Sequence, residues 1–300
     1  MQHAATLADY CRLINISPPR AAHYDLRRFE DNMATVHHRQ PPFRHEFYAV
    51  ALRRRGGNRQ VNGQPVEVSL FFNTPYQVIS WDIESDWQGW YILFDEVFAR
   101  CLPSGENFLT DYPFLALDKS EPFDVPPADV AFLDSLFQQL WHEHHAPRPA
   151  ADQEQFICAY THLLLLYVRR HYAALAPAAA TAGRAADQRL VAGLQAQLER
   201  QLAVAQRAGR ESRSPAFYAA QLGVSPNHLN AVAKRLTGKT ASQLVQDHAL
   251  ATAKALLLLT DRSVKELSYQ LGFSDPTHFT GFFKKHTGLT PRQYRKRLPS

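Results

Sequence analysis

Between residues 29 and 98 the chain is a series of short apolar, aromatic runs broken by turn residues. HEFYAVALRRR (45–55), PVEVSLFF (65–72), QVISW (77–81) and GWYILFDEVF (89–98) each have strand length and strand composition. GGN (56–58), NGQP (62–65) and NTP (73–75) separate them with turn chemistry. Short strands at this spacing predict a small sandwich or barrel. From Ala128 the period lengthens. Val130, Leu133, Leu136, Phe137, Leu140 and Trp141 recur at steps of three and four, which predicts a helix. QEQFICAYTHLLLLYVRRHY (153–172) is apolar on more than one face, as suits a helix packed on two sides. These two helices are expected to cover the sheet or to pair with a second subunit. AALAPAAATAGRAAD (173–187) is low in complexity and carries Pro177 and Gly183, so a linker is placed there. Residues 187–300 are dense in helix signals.

That last segment contains a repeat. LNAVAKRLTGKT (229–240) aligns without gaps on FTGFFKKHTGLT (279–290), so Leu229 matches Phe279, Val232 matches Phe282 and Lys234 matches Lys284. Both copies open alike. Ser225-Pro226 and Asp275-Pro276 supply a side-chain acceptor at the N-cap and a proline at N1, where its missing N–H has no helical partner to lose. Both are expected to stop at a left-handed glycine, Gly238 or Gly288. A shorter helix precedes each. SPAFYAAQLG (214–223) starts on Ser-Pro, and SVKELSYQLG (263–272) starts on Ser263 with Glu266 three residues later, a capping box. Small Ala219 and Ser268 stand four residues before Gly223 and Gly272, where two crossing helices must approach closely. Short helix, glycine turn and second helix, used twice, predict two helix-turn-helix units. ASQLVQDHALATAKALLLLT (241–260) reads as one long helix between them.

The faces of the second helices follow from 100° steps. Leu229, Val232, Ala233 and Leu236 turn inward in the first copy, and Phe279, Phe282, Phe283 and His286 in the second. Asn227, Asn230, Ala231 and Lys234 turn outward, as do Thr277, Thr280, Gly281 and Lys284. Asn can bond adenine bidentately, a Thr methyl can meet a thymine methyl, and Lys reaches guanine or a phosphate. Arg235 and Lys285, next along each helix, are further candidates for phosphates or groove edges.

Charge sharpens this picture. Residues 187–300 hold 17 Lys and Arg against 7 Asp and Glu, whereas the rest of the chain is net acidic. A polyanion partner is expected at the C-terminal end only. The three cysteines are scattered and form no C-x-x-C, which suits a reduced, cytoplasmic chain. The N-terminal residues do not read as a signal peptide, and the longest aliphatic runs, 163–168 and 255–259, are too short to cross a bilayer.

The stretch SVKELSYQLGFSDPTHFTGFFKKHTGLTPRQYRK (263–296) resembles the AraC/XylS-type transcriptional regulators, and the likeness covers the last ~110 residues. Gly272-Phe273-Ser274, Phe279, Phe282 to Lys285, Thr287-Gly288, Pro291 and Tyr294-Arg295 carry it. The resemblance implies a unit reading successive major-groove segments of double-stranded DNA, with RNA polymerase as a further partner. FRHEFYAV, NGQPVEV and SLFFNTPYQVISWD look like the family's cupin-type effector and dimerisation domain. The expected fold is therefore α+β and multidomain. A cupin-like β-barrel (about 25–125) and two helices (about 128–172) make an effector-binding and dimerising domain over 1–172. A linker at 173–186 leads to an all-α double helix-turn-helix domain at 187–300. The family often has arginine where Ala231 and Gly281 stand. Its absence from both copies shifts the expected readout to Asn227, Asn230, Thr277 and Thr280, or to DNA shape.

Other chemistry is poorly represented. His37-His38 and His45-Glu46 lack the H-x-H…E…H arrangement of metal-binding cupins, and WHEHH (141–145) is not H-E-x-x-H because Ala146 stands at the second histidine's place. Solvated histidines at a helix end are the simpler reading of the latter. No Gly-rich phosphate loop and no G-x-S-x-G is present. No enzyme activity, metal or cofactor is expected. The alternatives are a metal-dependent cupin enzyme fused to a DNA-binding module, and a regulator whose barrel only dimerises. Phe43, Phe47, Tyr48, Phe71, Phe72, Trp81, Trp87 and Trp90 are either sheet core or the lining of an effector pocket. Arg53, Arg54 and Arg55 read as an exposed strand end.

Overall fold

The computed structural model describes residues 1–54, 60–61, 64–65, 68–83, 85–103, 107–117, 122–147, 150–175, 186–204 and 214–296. The GGN turn, Asn62-Gly63 of the next turn, Arg55 and residues 176–185 of the expected linker lie outside them. The chain forms two compact units, one of residues 1–98 and 112–183, the other of residues 99–111 and 184–300.

The first unit begins with β1 (Gln2–Ala4) and α1 (Leu7–Ile14), then β2 (Tyr24–Arg28), β3 (Arg39–His45), β4 (Tyr48–Arg54), β5 (Gln60–Val61), β6 (Gln64–Pro65), β7 (Val68–Asn73), β8 (Val78–Asp82) and β9 (Gln88–Phe94). β5 and β6 pair with each other as a small antiparallel ribbon. A five-stranded antiparallel sheet runs β10-β7-β4-β9-β2, where β10 is Phe123–Asp124. A three-stranded sheet runs β1-β3-β8, with β1 parallel to β3. The β-rich region is as expected, and among the described residues no ladder closes it into a barrel. The register of β3 against β8 shifts between Gln40 and Phe43, across Pro41 and Pro42, neither of which has an N–H to donate.

The strands of the larger sheet are buried on both faces, so β4 is buried continuously from Tyr48 to Leu52. Ala49 and Ala51 point to the core shared with α1 and β3, which contains Leu7, Phe43 and Phe47. The opposite face meets helices: Trp90 stacks on Phe137 of α4 (Pro127–His145), and Phe72 packs on Phe114 of a 3-10 turn (Pro113–Leu115). α4 packs against α5 (Ala150–Leu175).

A buried ionic cluster ties α4 to β2. Arg27 Nε donates to Asp25 Oδ2 at 2.6 Å, and His144 Nε2 lies 2.9 Å from Asp25 Oδ1. Burial alone would raise the Asp25 pKa, but the His144 and Arg27 hydrogen bonds and the guanidinium charge together lower it. The histidines ending α4 thus have separate fates. His142 is exposed, His144 is buried in this cluster, and His145 stacks on Trp141. At the end of β4, Arg54 is exposed and pairs with Asp134, while Arg53 lies over the Trp87 ring at 3.7 Å.

The second unit contains the end of α2 (Glu96–Cys101), α3 (Phe108–Asp111) and then helices throughout: α6 (Ala186–Val204), α7 (Pro215–Gln221), α8 (Pro226–Thr237), α9 (Ala241–Leu259), α10 (Val264–Gln270), α11 (Pro276–Thr287) and α12 (Pro291–Lys296). Residues 99–111 pack inside this unit. Leu109 N donates to Glu199 Oε2 of α6 at 2.8 Å, and Arg100 lies 3.7 Å from Glu199 and 3.0 Å from His248 of α9. Among the described residues no helix is long and apolar enough to cross a membrane.

Candidate nucleic-acid interface

The two helix-turn-helix units, α7–α8 and α10–α11, are built by the same local rules. Ser214 and Ser225 cap α7 and α8 by accepting from Phe217 N and His228 N. Ser263 and Glu266 form a reciprocal capping box on α10, and Asp275 accepts from Thr277 N at 2.6 Å on α11. Backbone and side-chain hydrogen bonds from Thr277 hold the Asp275 pKa below the usual carboxylate range. Gly223 and Gly272 adopt φ of 67° and 72° in the turns, a region that L side chains enter at a cost. The turn then closes on the small residue of the first helix: Val224 N donates to Ala219 O at 3.0 Å, and Phe273 N to Ser268 O at 2.9 Å. Ala219 and Ser268 are fully buried, as a close crossing requires. Gly238 and Gly288 end α8 and α11 in the left-handed region.

The match runs beyond the aligned segments. Thr237 and Thr287 each donate to the carbonyl four residues back at 2.8 Å, and each hydroxyl accepts from the N–H two residues on. Thr240 with Gln243, and Thr290 with Gln293, bond each other's backbone N–H in capping boxes that open α9 and α12. The threonines were visible in the aligned TGKT and TGLT. Their role as hinges into the next helix needs the backbone geometry to be seen.

The inward faces are anchored by Leu229, Val232 and Ala233 in α8 and by Phe279 and Phe283 in α11, all fully buried. Phe282 is half-buried and packs on Phe273, whereas His286, expected inward, is exposed. The helix ends one residue later, at Thr287, and the His286 ring rests on Phe282 at 4.8 Å between centroids at the edge of the small core.

Most outward candidates are exposed: Asn227, Asn230, Ala231, Lys234 and Arg235 on α8, and Thr277, Gly281, Lys284 and Lys285 on α11. Three of the candidates are already engaged. Asn230 Oδ1 accepts from Ala241 N at 3.1 Å, so its carbonyl oxygen helps start α9. Thr280 is half-buried and donates its hydroxyl to Pro276 O at 2.9 Å. Arg235 donates from Nε to Asp187 Oδ2 of α6 at 3.0 Å. The repeat explains the first two. Asn230 and Thr280 are equivalent, but the repeat equivalent of Ala241 is Pro291, which has no N–H to satisfy. A Cβ added at Gly281 would meet none of the described residues' atoms within 4 Å beyond its own turn of helix.

The other candidate chemistry is dispersed. His45 is fully buried between Phe43 and Phe47, Glu46 pairs with His3 at 2.9 Å, and His38 Nε2 lies 2.9 Å from Met33 O. Among the described residues no three His, Cys, Asp or Glu side chains gather as a metal ion would need.

Residues 218–297 match a family described as a helix-turn-helix domain. Over 81 residues the chain is 37% identical to the uncharacterized transcriptional regulatory protein YesN of Bacillus subtilis, covering 25% of this chain and 21% of that one. Over 162 residues it is 28% identical to the HTH-type transcriptional activator RhaR of Klebsiella pneumoniae, covering 54% and 53% respectively. A solved AraC-type DNA-binding domain-containing transcriptional regulator from Chromobacterium violaceum is 28% identical, with a TM-score of 0.29, and the match covers 35% of this chain and 95% of that one. The chain spans about half the length or less of the curated relatives it matches. Residues 218–297 therefore match a helix-turn-helix domain, the class that the paired α7–α8 and α10–α11 units also define.

Proposed function

We propose that the chain is a sequence-specific transcription regulator whose α8 and α11 read successive major-groove segments of double-stranded DNA. The observation that carries this reading is the duplicated unit with two equivalent outward faces, each ending in an exposed basic pair, Lys234-Arg235 or Lys284-Lys285. Lysines in the last turn of a helix also suit its dipole. Within this reading Asn227, Thr277 and the lysines are the direct readers. Asn230, Thr280 and Arg235 are residues that set the faces. The first unit is proposed to take a small-molecule effector and to join a second copy through α4 and α5. Exposed Phe132, Phe156 and Leu163 on those helices favour that pairing. RNA polymerase is the proposed partner for output.

The test is selection of genomic DNA by the 300-residue chain, followed by affinity measurements across salt concentrations. A preferred sequence is expected, with log K falling by about 0.9 per phosphate contact for each tenfold rise in salt. Lys284→Ala should reduce that slope by about 1. Absence of any sequence preference would sink the reading. Light scattering that finds only monomer at micromolar concentration would remove the pairing of α4 and α5.

A further inference from the structure

Between the two sheets of the first unit lies a cavity of about 210 Å³. It exists because β4 alternates large and small residues. Ala49 and Ala51 point to this side, where longer side chains would fill the space. Its wall is an aromatic cage. Phe29 packs on Tyr91 at 4.7 Å, on Trp87 at 5.4 Å and on Phe71 at 6.1 Å between ring centroids, and Trp81 closes another side. A dry apolar cavity of about 150 Å³ takes benzene. This one therefore has room for a single ring with a short substituent.

The lining also states what charge the occupant carries. Among the described lining residues none is Lys, Arg, His, Asp or Glu. Of the nearby cations, Arg27 is held by Asp25 at 2.6 Å, and Arg53 packs over the Trp87 ring and is not among the described lining residues. An ionised ligand would be buried without a partner, which is strongly unfavourable. Polar groups are present but neutral. Asn32 Nδ2 donates to the Tyr91 hydroxyl at 2.9 Å, and Asn73 and Ser80 complete the polar lining. A few neutral donors and acceptors in an apolar wall fix the orientation of a ligand that has one or two such groups itself.

We infer that this cavity binds a small, uncharged aromatic molecule carrying a neutral hydrogen-bonding group. The inference rests on the effector-regulator reading above for its purpose, and names the ligand class of that first unit.

The experiment uses the 300-residue chain and three probes: benzyl alcohol and indole, which are neutral, and benzoate, which has nearly the same skeleton with a charge. Binding is followed by calorimetry and by tryptophan fluorescence, to which Trp81 and Trp87 report directly. Benzyl alcohol and indole are expected to bind saturably at millimolar concentration or below, and benzoate at least tenfold more weakly. Ala51→Leu fills the cavity and should weaken the neutral probes at least tenfold. Ala51→Val, a milder filling suited to a strand, should give a smaller loss and covers the case in which the leucine variant misfolds. Benzoate bound as tightly as benzyl alcohol, no binding of either neutral probe, or binding untouched in both folded variants would overturn the assignment. DNA affinity is measured apart from these. A neutral ring that binds without altering DNA affinity supports the cavity assignment and removes the gating. DNA binding that is intact while neither neutral ring binds overturns the cavity alone.

Discussion

Asn230 shows how one side chain changes meaning between sequence and structure. Its outward position on α8 makes it a base reader by pattern, yet its carbonyl oxygen accepts from Ala241 N at 3.1 Å. Asn230→Ala should therefore cost about 1 kcal/mol of stability, the net worth of a typical hydrogen bond. Asn230→Asp keeps the acceptor, so chemical unfolding should show most of that stability restored. DNA affinity should still fall, because the new carboxylate faces the phosphates. An alanine variant of unchanged stability would remove the positioning role. His45 supplies a second residue-scale expectation. Burial lowers its pKa to about 3, against a smaller opposing pull from the Phe47 backbone. It stays neutral when folded and takes a proton when unfolded near pH 6.5. Its contribution is complete above that value and is lost as pH falls toward 3, at about 1.4 kcal/mol per pH unit. The wild type should therefore lose more stability than His45→Leu between pH 7 and pH 5 in denaturant titrations. Equal losses would mean that another group carries the acid sensitivity.

At the scale of elements, the helices of the second unit were legible because each is specified locally. Ser-Pro and Asp-Pro starts, glycine stops and the spacing of Phe279 and Phe283 are short-range signals, and they fix α7 to α11 nearly residue by residue. The first unit was legible as strands and helices but not as an arrangement. β1 and α1 escaped notice because three residues of strand and eight of helix offer little pattern, although Thr6 and Asp9 form a capping box there. Barrel closure is a non-local property that no single run encodes. The readers of the candidate interface were half legible. Helical phase gives the exposed face, but not which of its polar atoms the fold has already engaged. Gly281 tests that face as an element. It sits mid-helix in α11 with open space around it, so Gly281→Ala should stabilise the helix by about 1 kcal/mol and raise the melting temperature. If the face must come very close to DNA, the same methyl should weaken binding to the selected site. Affinity unchanged by that methyl would dismiss close approach and leave a recognition helix that has lost its long reader.

At the scale of the molecule, the compact units do not follow the chain order. Residues 99–111 leave the β-rich part of the sequence and complete the helical unit, with Leu102, Phe108 and Leu109 buried. Glu199 on α6 is 1% exposed and receives Leu109 N at 2.8 Å, with Arg100 at 3.7 Å. A fragment cut at the sequence boundary, 187–300, therefore lacks part of its own packing. Each fully buried Leu or Phe side chain contributes about 1.5–3 kcal/mol, so loss of this segment should destabilise the fragment by several kcal/mol relative to the same unit in the full chain. Thermal unfolding followed by circular dichroism would show it as a lower midpoint for the fragment than for the helical unit of the intact protein. Joining residues 96–111 to 184–300 through a flexible linker should bring the midpoint back. Arg100→Ala in the full chain should move the intact protein toward the fragment, since it strips a buried carboxylate of its cation. A fragment as stable as the intact unit would mean that 99–111 merely rests on α6. A destabilised one makes this stretch a structural part of the helical unit contributed by the first half of the sequence, continuous through α2 with β9.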